Sequence, residues 1–208
     1  MQLIDESAII WSAPAADRAD RPLLVLLHGY GSHEGDLFGL APHLPLQPVI
    51  ASVRAPLRAG PGYAWYGLEG ATPASRSEGA DAAARGLLQW LDGVQATTVG
   101  LLGFSQGGAM SIQLLRHAPE RFAFAVSLAG FVVRGEAPAD DRLAALAPPV
   151  FWGRGTHDTV IPDAFVTDTQ NWLPRHTTLT ERIYEGLGHS VSEAELADVL
   201  TFLRAQYS

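Results

Sequence analysis

The sequence predicts an α/β fold with a mostly parallel central sheet and helices on both of its faces. Apolar runs of strand length alternate along the chain with stretches of helical periodicity, the pattern of parallel strands joined by helical crossovers. Runs such as Leu23–Leu27 contain no polar residue, as expected for strands buried on both faces. With 208 residues and 47% hydrophobic content, the chain has the size of a single domain, 1–208.

The individual elements follow from the spacing of the apolar residues. Short continuous apolar runs predict strands at Ala8–Trp11, Leu23–Leu27, Val49–Val53, Val99–Leu102, Phe122–Leu128, Val150–Trp152 and Leu179–Tyr184. Apolar positions three and four residues apart predict helices at Asp36–Ala41, Glu78–Leu91, Gln106–His117, Pro162–Leu173 and Ser192–Gln206. Ser192 and Glu195 have the spacing of a capping box, which marks the start of the last helix. Two stretches rich in proline and glycine, Arg54–Thr72 and Arg134–Pro149, lack clear periodicity and are predicted to be long loops.

The composition excludes several chemistries. All 14 basic residues are arginine, so Schiff-base lysines, phosphate-binding loops that need lysine and serine-lysine dyads are excluded. Cysteine is absent as well, which excludes thiol nucleophiles, disulfides and cysteine zinc sites. A net charge of −8 and a pI near 5.2 argue against a nucleic-acid partner.

The amino-terminal residues and the lengths of the apolar runs bear on location. The segment from Met1 to Glu6 is acidic and leads into no long apolar stretch, so we expect no secretory signal and a cytoplasmic protein. No apolar run approaches the ~18 residues of a membrane span.

Ser105 is the candidate nucleophile. It lies in Gly103-Phe104-Ser105-Gln106-Gly107, between a predicted strand and a predicted helix, which is the context of a nucleophile elbow. Side chains two residues before and after such a serine would collide, so glycine is needed at both positions. The start of the following helix also favours developing negative charge.

A serine nucleophile needs a general base and a carboxylate that orients it. His189 follows the last predicted strand in a Gly-Leu-Gly-His-Ser loop and is the candidate base. Asp158 follows the strand that ends near Gly153, and the order Ser105, Asp158, His189 is that of the α/β-hydrolases. Asp163 is the alternative carboxylate, although its position after Pro162 is also typical of the first turn of a helix.

An oxyanion formed at Ser105 needs two N–H donors. The backbone N–H of Gln106, at the start of a helix, is one candidate. The second is the N–H of Tyr30, because the glycines of His28-Gly29-Tyr30-Gly31 let the backbone approach a ligand closely. A tight turn without a catalytic role is the other interpretation of this segment.

Five motifs resemble the phospholipase/carboxylesterase family of small α/β-hydrolases, and they extend from about Leu23 to Leu203. They are His28-Gly29-Tyr30-Gly31, Arg54-Ala55-Pro56 with Gly62-Tyr63-Ala64-Trp65-Tyr66, Gly103-Phe104-Ser105-Gln106-Gly107-Gly108, Gly155-Thr156-His157-Asp158 with Val160-Ile161-Pro162, and Gly188-His189-Ser190. The resemblance implies a fold without a cap domain, a triad of Ser105, Asp158 and His189, and short- to medium-chain acyl substrates. It also implies that Trp65 lines the acyl site.

The sequence therefore predicts a serine carboxylesterase that acts on small-molecule acyl esters. Phe131, Val132, Val160 and Leu187 lie near strand carboxyl ends and are candidates for the acyl pocket. We expect no cofactor and no metal ion, because His157 beside Asp158 has no further ligand at a suitable spacing. A thioesterase, a lysophospholipase and a non-catalytic binding protein of the same fold are the alternatives. The sequence leaves the oligomeric state open between a monomer and an oligomer such as a homodimer.

Overall fold

The computed structural model of the protein describes residues 3–45, 47–68 and 70–207. Met1 and Gln2 of the amino-terminal segment, and Glu69 of the predicted loop Arg54–Thr72, lie outside the described residues. The strands are β1 Ile10–Trp11, β2 Leu23–Leu27, β3 Val49–Val53, β4 Leu57–Ala59, β5 Gly62–Ala64, β6 Val99–Phe104, β7 Phe124–Leu128, β8 Pro149–Gly155 and β9 Thr178–Tyr184. The α-helices are α1 Gly35–Phe38, α2 Pro73–Asp92, α3 Gln106–His117, α4 Asp140–Leu146, α5 Asp163–His176 and α6 Glu193–Gln206.

The mostly parallel central sheet is confirmed. Within the described ranges, seven strands pair in the order β1-β3-β2-β6-β7-β8-β9, and only β1 runs antiparallel to its neighbour. The chain moves outward from β2 to β3, returns to β6 on the other side of β2, and then continues outward to β9. The strand order thus reverses between β2 and β6, and ligands of open α/β sheets bind at the carboxyl ends of the strands at such a point.

Both faces of the sheet are covered, as the continuous apolar runs predict. In β2, Leu23, Val25 and Leu27 belong to a core shared with α2, α3, α4 and α5. Leu24 and Leu26 point to the opposite face and pack in a second core with α1 and α6. Alternate residues of one strand therefore pack against two helical layers, one on each face of the sheet.

The predicted loop Arg54–Thr72 is wrong in part. It contains the hairpin β4–β5, and α2 begins at Pro73 rather than at Glu78. Thr72 caps this helix, since its Oγ1 accepts the N–H of Ser75 at 3.1 Å, and Pro73 occupies the first helical position. Threonine followed by proline is a helix start signal, but the first turns of α2 are too polar to register as helical periodicity.

The predicted loop Arg134–Pro149 also contains a short helix, α4. Asp140 at its start receives two hydrogen bonds from the buried guanidinium of Arg116, from Nε at 2.8 Å and from Nη2 at 2.7 Å. The same guanidinium donates to the carbonyls of Val133 and Gly135. Arg116 thus fixes this segment against α3, a long-range contact that local periodicity does not contain. Among the described residues, no helix is long and apolar enough to cross a membrane.

Candidate active site

Ser105 lies at the sharp turn between β6 and α3, at the predicted position. Its φ is 55° and its ψ is −117°, a backbone conformation that residues with a side chain rarely adopt. A Cβ added at Gly103 would lie 2.1 Å from the carbonyl oxygen of Gly107, and one added at Gly107 would lie 1.8 Å from the carbonyl oxygen of Leu27. The structure therefore requires glycine at both positions, as the elbow predicts.

The side chains of Ser105, His189 and Asp158 form a continuous hydrogen-bonded chain. Ser105 Oγ lies 2.8 Å from His189 Nε2, and His189 Nδ1 lies 2.7 Å from Asp158 Oδ2. The ring of His189 also packs against Phe104, with 4.9 Å between the ring centroids. Residues that are 84 and 31 positions apart in the chain are thereby brought together at the carboxyl edge of the sheet. In this arrangement a neutral imidazole can accept the serine proton while the carboxylate holds its Nδ1–H.

Asp158 rather than Asp163 is the carboxylate that contacts His189. The second oxygen of Asp158, Oδ1, accepts the backbone N–H groups of Val160 at 2.9 Å and Ile161 at 3.1 Å. These two bonds fix the carboxylate so that Oδ2 faces the imidazole. Asp163 is exposed and is the first residue of α5, where a carboxylate complements the helix dipole.

Two backbone N–H groups near Ser105 come from different elements, from Tyr30 and from Gln106. Gln106 is the first residue of α3, so its N–H is one of the donors that a helix leaves without an internal partner. In the described chain, the N–H of Tyr30 donates to no other protein group. The loop that carries Tyr30 runs close to the serine, since a Cβ added at Gly29 would lie 3.5 Å from Ser105 Cβ. Both donors can therefore serve a negatively charged oxygen at this position.

The hairpin β4–β5 fixes the loop that carries Tyr30. Gly31 N–H donates to the Tyr63 carbonyl at 2.8 Å, and Tyr63 N–H donates to the Ser32 carbonyl at 2.8 Å. A Cβ added at Gly62 would lie 2.1 Å from the Gly31 carbonyl oxygen, so the two backbones touch. The turn Gly60-Pro61-Gly62 is the sequence signal for this hairpin.

The side chains of Gln106, Trp65 and His28 support the loop that carries Tyr30 through hydrogen bonds. Gln106 Oε1 accepts the Trp65 N–H at 2.9 Å, and Gln106 Nε2 donates to the Tyr66 carbonyl at 2.8 Å. Trp65 Nε1 donates to the His28 carbonyl at 2.9 Å. His28 Nε2 accepts the Ala55 N–H at 3.1 Å, which leaves Nδ1 as the donor to the Gly29 carbonyl. Burial lowers the pKa of His28, which keeps the imidazole neutral in this role.

A cavity of about 540 Å³ opens beside Ser105 and His189. Three of the residues predicted for the acyl pocket, Phe131, Val132 and Val160, line it. Phe131 stacks on Phe165 with 5.1 Å between ring centroids, which makes an aromatic wall. The remaining lining includes residues of the loop after β2, of the segment between β5 and α2, of α2 itself and of the loop before α5.

Trp65 and Leu187, which the sequence places in the acyl pocket, are not among the residues that line this cavity. Trp65 is fully buried, and its indole is used to hold the His28 carbonyl behind the Tyr30 loop. Leu187 packs at the end of β8, where its carbonyl oxygen accepts the N–H of His157 at 2.9 Å. A Cβ added at Gly155 would lie 1.9 Å from that oxygen.

Two histidines outside the site have local partners. His117 contacts Asp81 at 2.8 Å, and His176 bonds the Trp172 carbonyl at 2.8 Å and stacks on the Trp172 ring. In the described part of the chain, no group of three or more histidine, aspartate or glutamate side chains is arranged to hold a metal ion.

The loop that carries His189 leads into α6 through the predicted capping box. Ser192 Oγ accepts the Glu195 N–H at 3.1 Å. The Glu195 side chain is only 1% exposed, and among the described residues its Oε1 has no hydrogen-bond partner. Burial is the main cause that raises the pKa of Glu195 to about 7.

We therefore expect the free energy of unfolding to fall between about pH 5 and pH 8, and the variant Glu195→Gln to lack this fall. A carboxyl group whose pKa is raised by folding stabilises fully below its ordinary value of 4.5, and this contribution is lost as the pH rises through about 7. At ~1.4 kcal/mol per pKa unit, the loss is roughly 3 kcal/mol. Denaturant-induced unfolding at pH 5 and at pH 8 measures this loss of unfolding free energy. Glu193→Gln, at an exposed position of the same helix turn, is the control, and equal pH slopes in wild type and Glu195→Gln would contradict the expectation.

The site has the features of the α/β-hydrolases: a serine at an elbow, a histidine and a carboxylate hydrogen-bonded to it in series, and a position at the carboxyl edge of the sheet. Within that class, the chain belongs to the phospholipase/carboxylesterase family, whose model matches residues 13–207. This is a family of serine hydrolases that includes carboxylesterases and acyl-protein thioesterases.

Individual relatives cover most of the chain. It is 25% identical to acyl-protein thioesterase 1 of Kluyveromyces lactis over 206 residues, which cover 87% of this chain and 90% of the relative. It is 27% identical to the esterase YpfH of Escherichia coli over 204 residues, which cover 90% of this chain and 84% of the relative. Among solved structures, esterase PE8 superposes with a TM-score of 0.74 at 29% identity, over 95% of this chain and 96% of that chain.

Proposed function

We propose that the protein is a serine carboxylesterase that hydrolyses short- to medium-chain acyl esters through an acyl-enzyme intermediate. The observation that carries this proposal is the hydrogen-bonded chain of Ser105, His189 and Asp158 beside the cavity. A serine hydroxyl is a weak nucleophile at neutral pH, and only a base within hydrogen-bond reach makes it reactive. The relatives named esterase and thioesterase support the same reaction class.

In the proposed acylation, His189 Nε2 takes the proton of Ser105 as Oγ attacks the ester carbonyl carbon. The oxyanion of the tetrahedral intermediate accepts the N–H groups of Tyr30 and Gln106. Asp158 stabilises the imidazolium, which then protonates the leaving alcohol as the C–O bond breaks. In deacylation, a water molecule gives its proton to His189 and attacks the acyl-enzyme, and Ser105 regains its proton as the acid leaves.

The size and lining of the cavity support small acyl groups. A volume of about 540 Å³ lies in the range of pockets that enclose small ligands. Phe131, Val132 and Val160 supply apolar surface beside Ser105, and each buried methylene of a substrate gains ~0.8 kcal/mol only while wall remains to cover it.

A thioesterase is the second candidate, favoured by the name of the Kluyveromyces lactis relative. Both candidates use the same acylation machinery and differ only in the leaving group. Rates on an oxygen ester and a thioester of one acyl group distinguish them.

A fluorophosphonate probe tests the proposed nucleophile. We expect one label per chain, located at Ser105 by peptide mass spectrometry, because Ser105 Oγ attacks phosphorus and fluoride leaves only where a base and oxyanion donors are present. His189→Ala is expected to slow labelling roughly 100-fold, since general-base assistance is lost. The matched control is His157→Ala, at an exposed neighbouring histidine, which we expect to label at close to the wild-type rate.

A protein that binds an ester but gives neither a label nor an acyl-enzyme mass would instead be a non-catalytic binder of the same fold. A label at a serine other than Ser105 would overturn the assignment of the nucleophile.

A further inference from the structure

One wall of the cavity differs from the rest in its hydrogen-bonding groups. It is formed by Tyr66 and Leu68, which precede α2, and by Pro73 and Arg76 of that helix, and we name it the α2 wall. Most of the cavity is lined by aliphatic and aromatic side chains. The α2 wall instead contains two buried hydrogen-bond donors that have no partner among the described residues.

The first of these donors is the hydroxyl of Tyr66. The residue is only 1% exposed, and in the described chain no group accepts from its hydroxyl. The second is Nε of Arg76, which is likewise buried without a partner in the described ranges. A buried donor that is not hydrogen-bonded lowers stability, so native structures seldom retain two in one wall unless a ligand completes them.

The charge of Arg76 is also without a counter-ion in the described part of the chain. Its Nη2 donates to the Leu68 carbonyl at 3.2 Å, which is a neutral acceptor. No described carboxylate forms an ion pair with this arginine. The charge of the Arg76 guanidinium is felt by Tyr66, since it lowers the pKa of the phenol. Burial raises the pKa of the same phenol more strongly.

The other charged residues of the cavity lining are less suited to bind an anion. Arg134 is paired with Asp168, with 2.6 Å between Nε and Oδ2. Asp36, at the wall near Tyr30, accepts the Ser32 hydroxyl at 2.6 Å and would repel an anion. Among the described residues, Arg76 is thus the arginine of this cavity that lacks an acidic partner.

We propose that the α2 wall binds a carboxylate at the far end of the acyl group, so that the preferred substrates are half-esters of short dicarboxylic acids. This inference rests on the proposed function. A carboxylate has acceptor sites for both free donors, and it neutralises a cation that is otherwise held in an apolar cavity. Recognition by the half-buried Arg76 and the Tyr66 hydroxyl also disfavours a plain alkyl chain, because that chain leaves both donors unsatisfied.

The position of Tyr66 sets the length of the acyl group. Its carbonyl accepts from the side chain of Gln106, the residue that follows Ser105, so its backbone is anchored next to the nucleophile. Its side chain lies against α2, where a Cβ added at Gly79 would be 2.8 Å from Tyr66 Cβ. The hydroxyl therefore lies about one tyrosine side-chain length from this anchored backbone. Half-esters of four to six acyl carbons match this reach.

Three matched pairs of p-nitrophenyl esters test the proposal: succinate against butanoate, glutarate against pentanoate, and adipate against hexanoate. The quantity is the ratio of kcat/KM for the charged ester to that for the uncharged ester, with active sites counted by fluorophosphonate labelling. We expect the charged ester to be preferred in at least one pair, and Arg76→Gln to lower that ratio at least tenfold. Tyr66→Phe should lower this ratio about fivefold, because it removes one hydrogen bond but no charge.

Arg134→Gln is the matched control, since it removes an arginine of the same cavity that already has a counter-ion. We expect its ratio to stay within threefold of wild type. A fall in Arg134→Gln without one in Arg76→Gln would overturn the proposal.

The two proposals fail in distinguishable ways. If the protein labels at Ser105 and hydrolyses the uncharged esters, but Arg76→Gln leaves every ratio unchanged, the carboxylate site is wrong and the esterase stands. If the protein neither labels nor turns over any ester, the esterase proposal is wrong. In that case calorimetric titration with glutarate still tests the α2 wall: weaker binding by Arg76→Gln than by wild type supports it, and equal binding overturns it.

Discussion

Replacing Ser105 by alanine is expected to lower kcat for ester hydrolysis by roughly 10⁴-fold or more, about 5.5 kcal/mol of transition-state stabilisation. The hydroxyl is the proposed site of covalent bond formation, so no other group replaces it. The fold should remain intact, because Ser105 Oγ contacts His189 and caps no part of α3. Alanine keeps the Cβ, so the strained turn is unchanged. Initial rates on p-nitrophenyl butanoate, together with the far-ultraviolet circular dichroism, measure both expectations.

The matched control is Ser111→Ala. Ser111 is a fully buried serine on α3, and its hydroxyl donates to the Gly107 carbonyl one turn earlier at 3.2 Å. We expect kcat within threefold of wild type and a loss of stability on the order of 1 kcal/mol. Ester hydrolysis by a homogeneous Ser105→Ala protein at more than a hundredth of the wild-type rate would exclude Ser105 as the nucleophile.

The parts of the site that the sequence predicts are those encoded by short segments at strand ends. Gly103 and Gly107 indicate the elbow because the turn's need for glycine on both sides of the serine falls within five residues. The order of serine, carboxylate and histidine along the chain then limits which residues can be the carboxylate and the base. The sheet brings the three side chains together, since β6 and β8 lie in one parallel array with a single strand between them. These three residues can be proposed from the sequence because local geometry and a general rule of topology suffice.

The support behind the site was not predicted, because it consists of long-range pairs. Gln106 contacts Trp65 across 41 positions and His28 contacts Ala55 across 27, and no local pattern encodes such partners. The fully buried Trp65 is an example, because a tryptophan near a site can line its pocket or support it from the core, and the sequence alone does not distinguish the two. Arg76 was missed because the first turns of α2 lack an apolar stripe.

Replacing Asp158 by asparagine is expected to lower kcat by roughly 10²- to 10⁴-fold while leaving the fold in place. The reason lies in the two N–H groups, from Val160 and Ile161, that hold Oδ1. They select the carbonyl oxygen of an asparagine, so its NH₂ group must face His189 Nδ1. The imidazole then accepts at Nδ1 and carries its proton on Nε2, the tautomer that cannot take the proton of Ser105.

Asp163→Asn provides the comparison that decides between the two carboxylates. This residue starts α5 and touches neither His189 nor Ser105, so its charge contributes only to the stability of the helix. We expect a loss of ~0.3–1 kcal/mol in unfolding free energy and a kcat within threefold of wild type. Because both variants change one carboxylate to an amide in the same loop-to-helix segment, their kcat values can be compared directly. A large loss of kcat in Asp163→Asn and a small one in Asp158→Asn would mean that the hydrogen bond between Asp158 and His189 is not the one that orients the base.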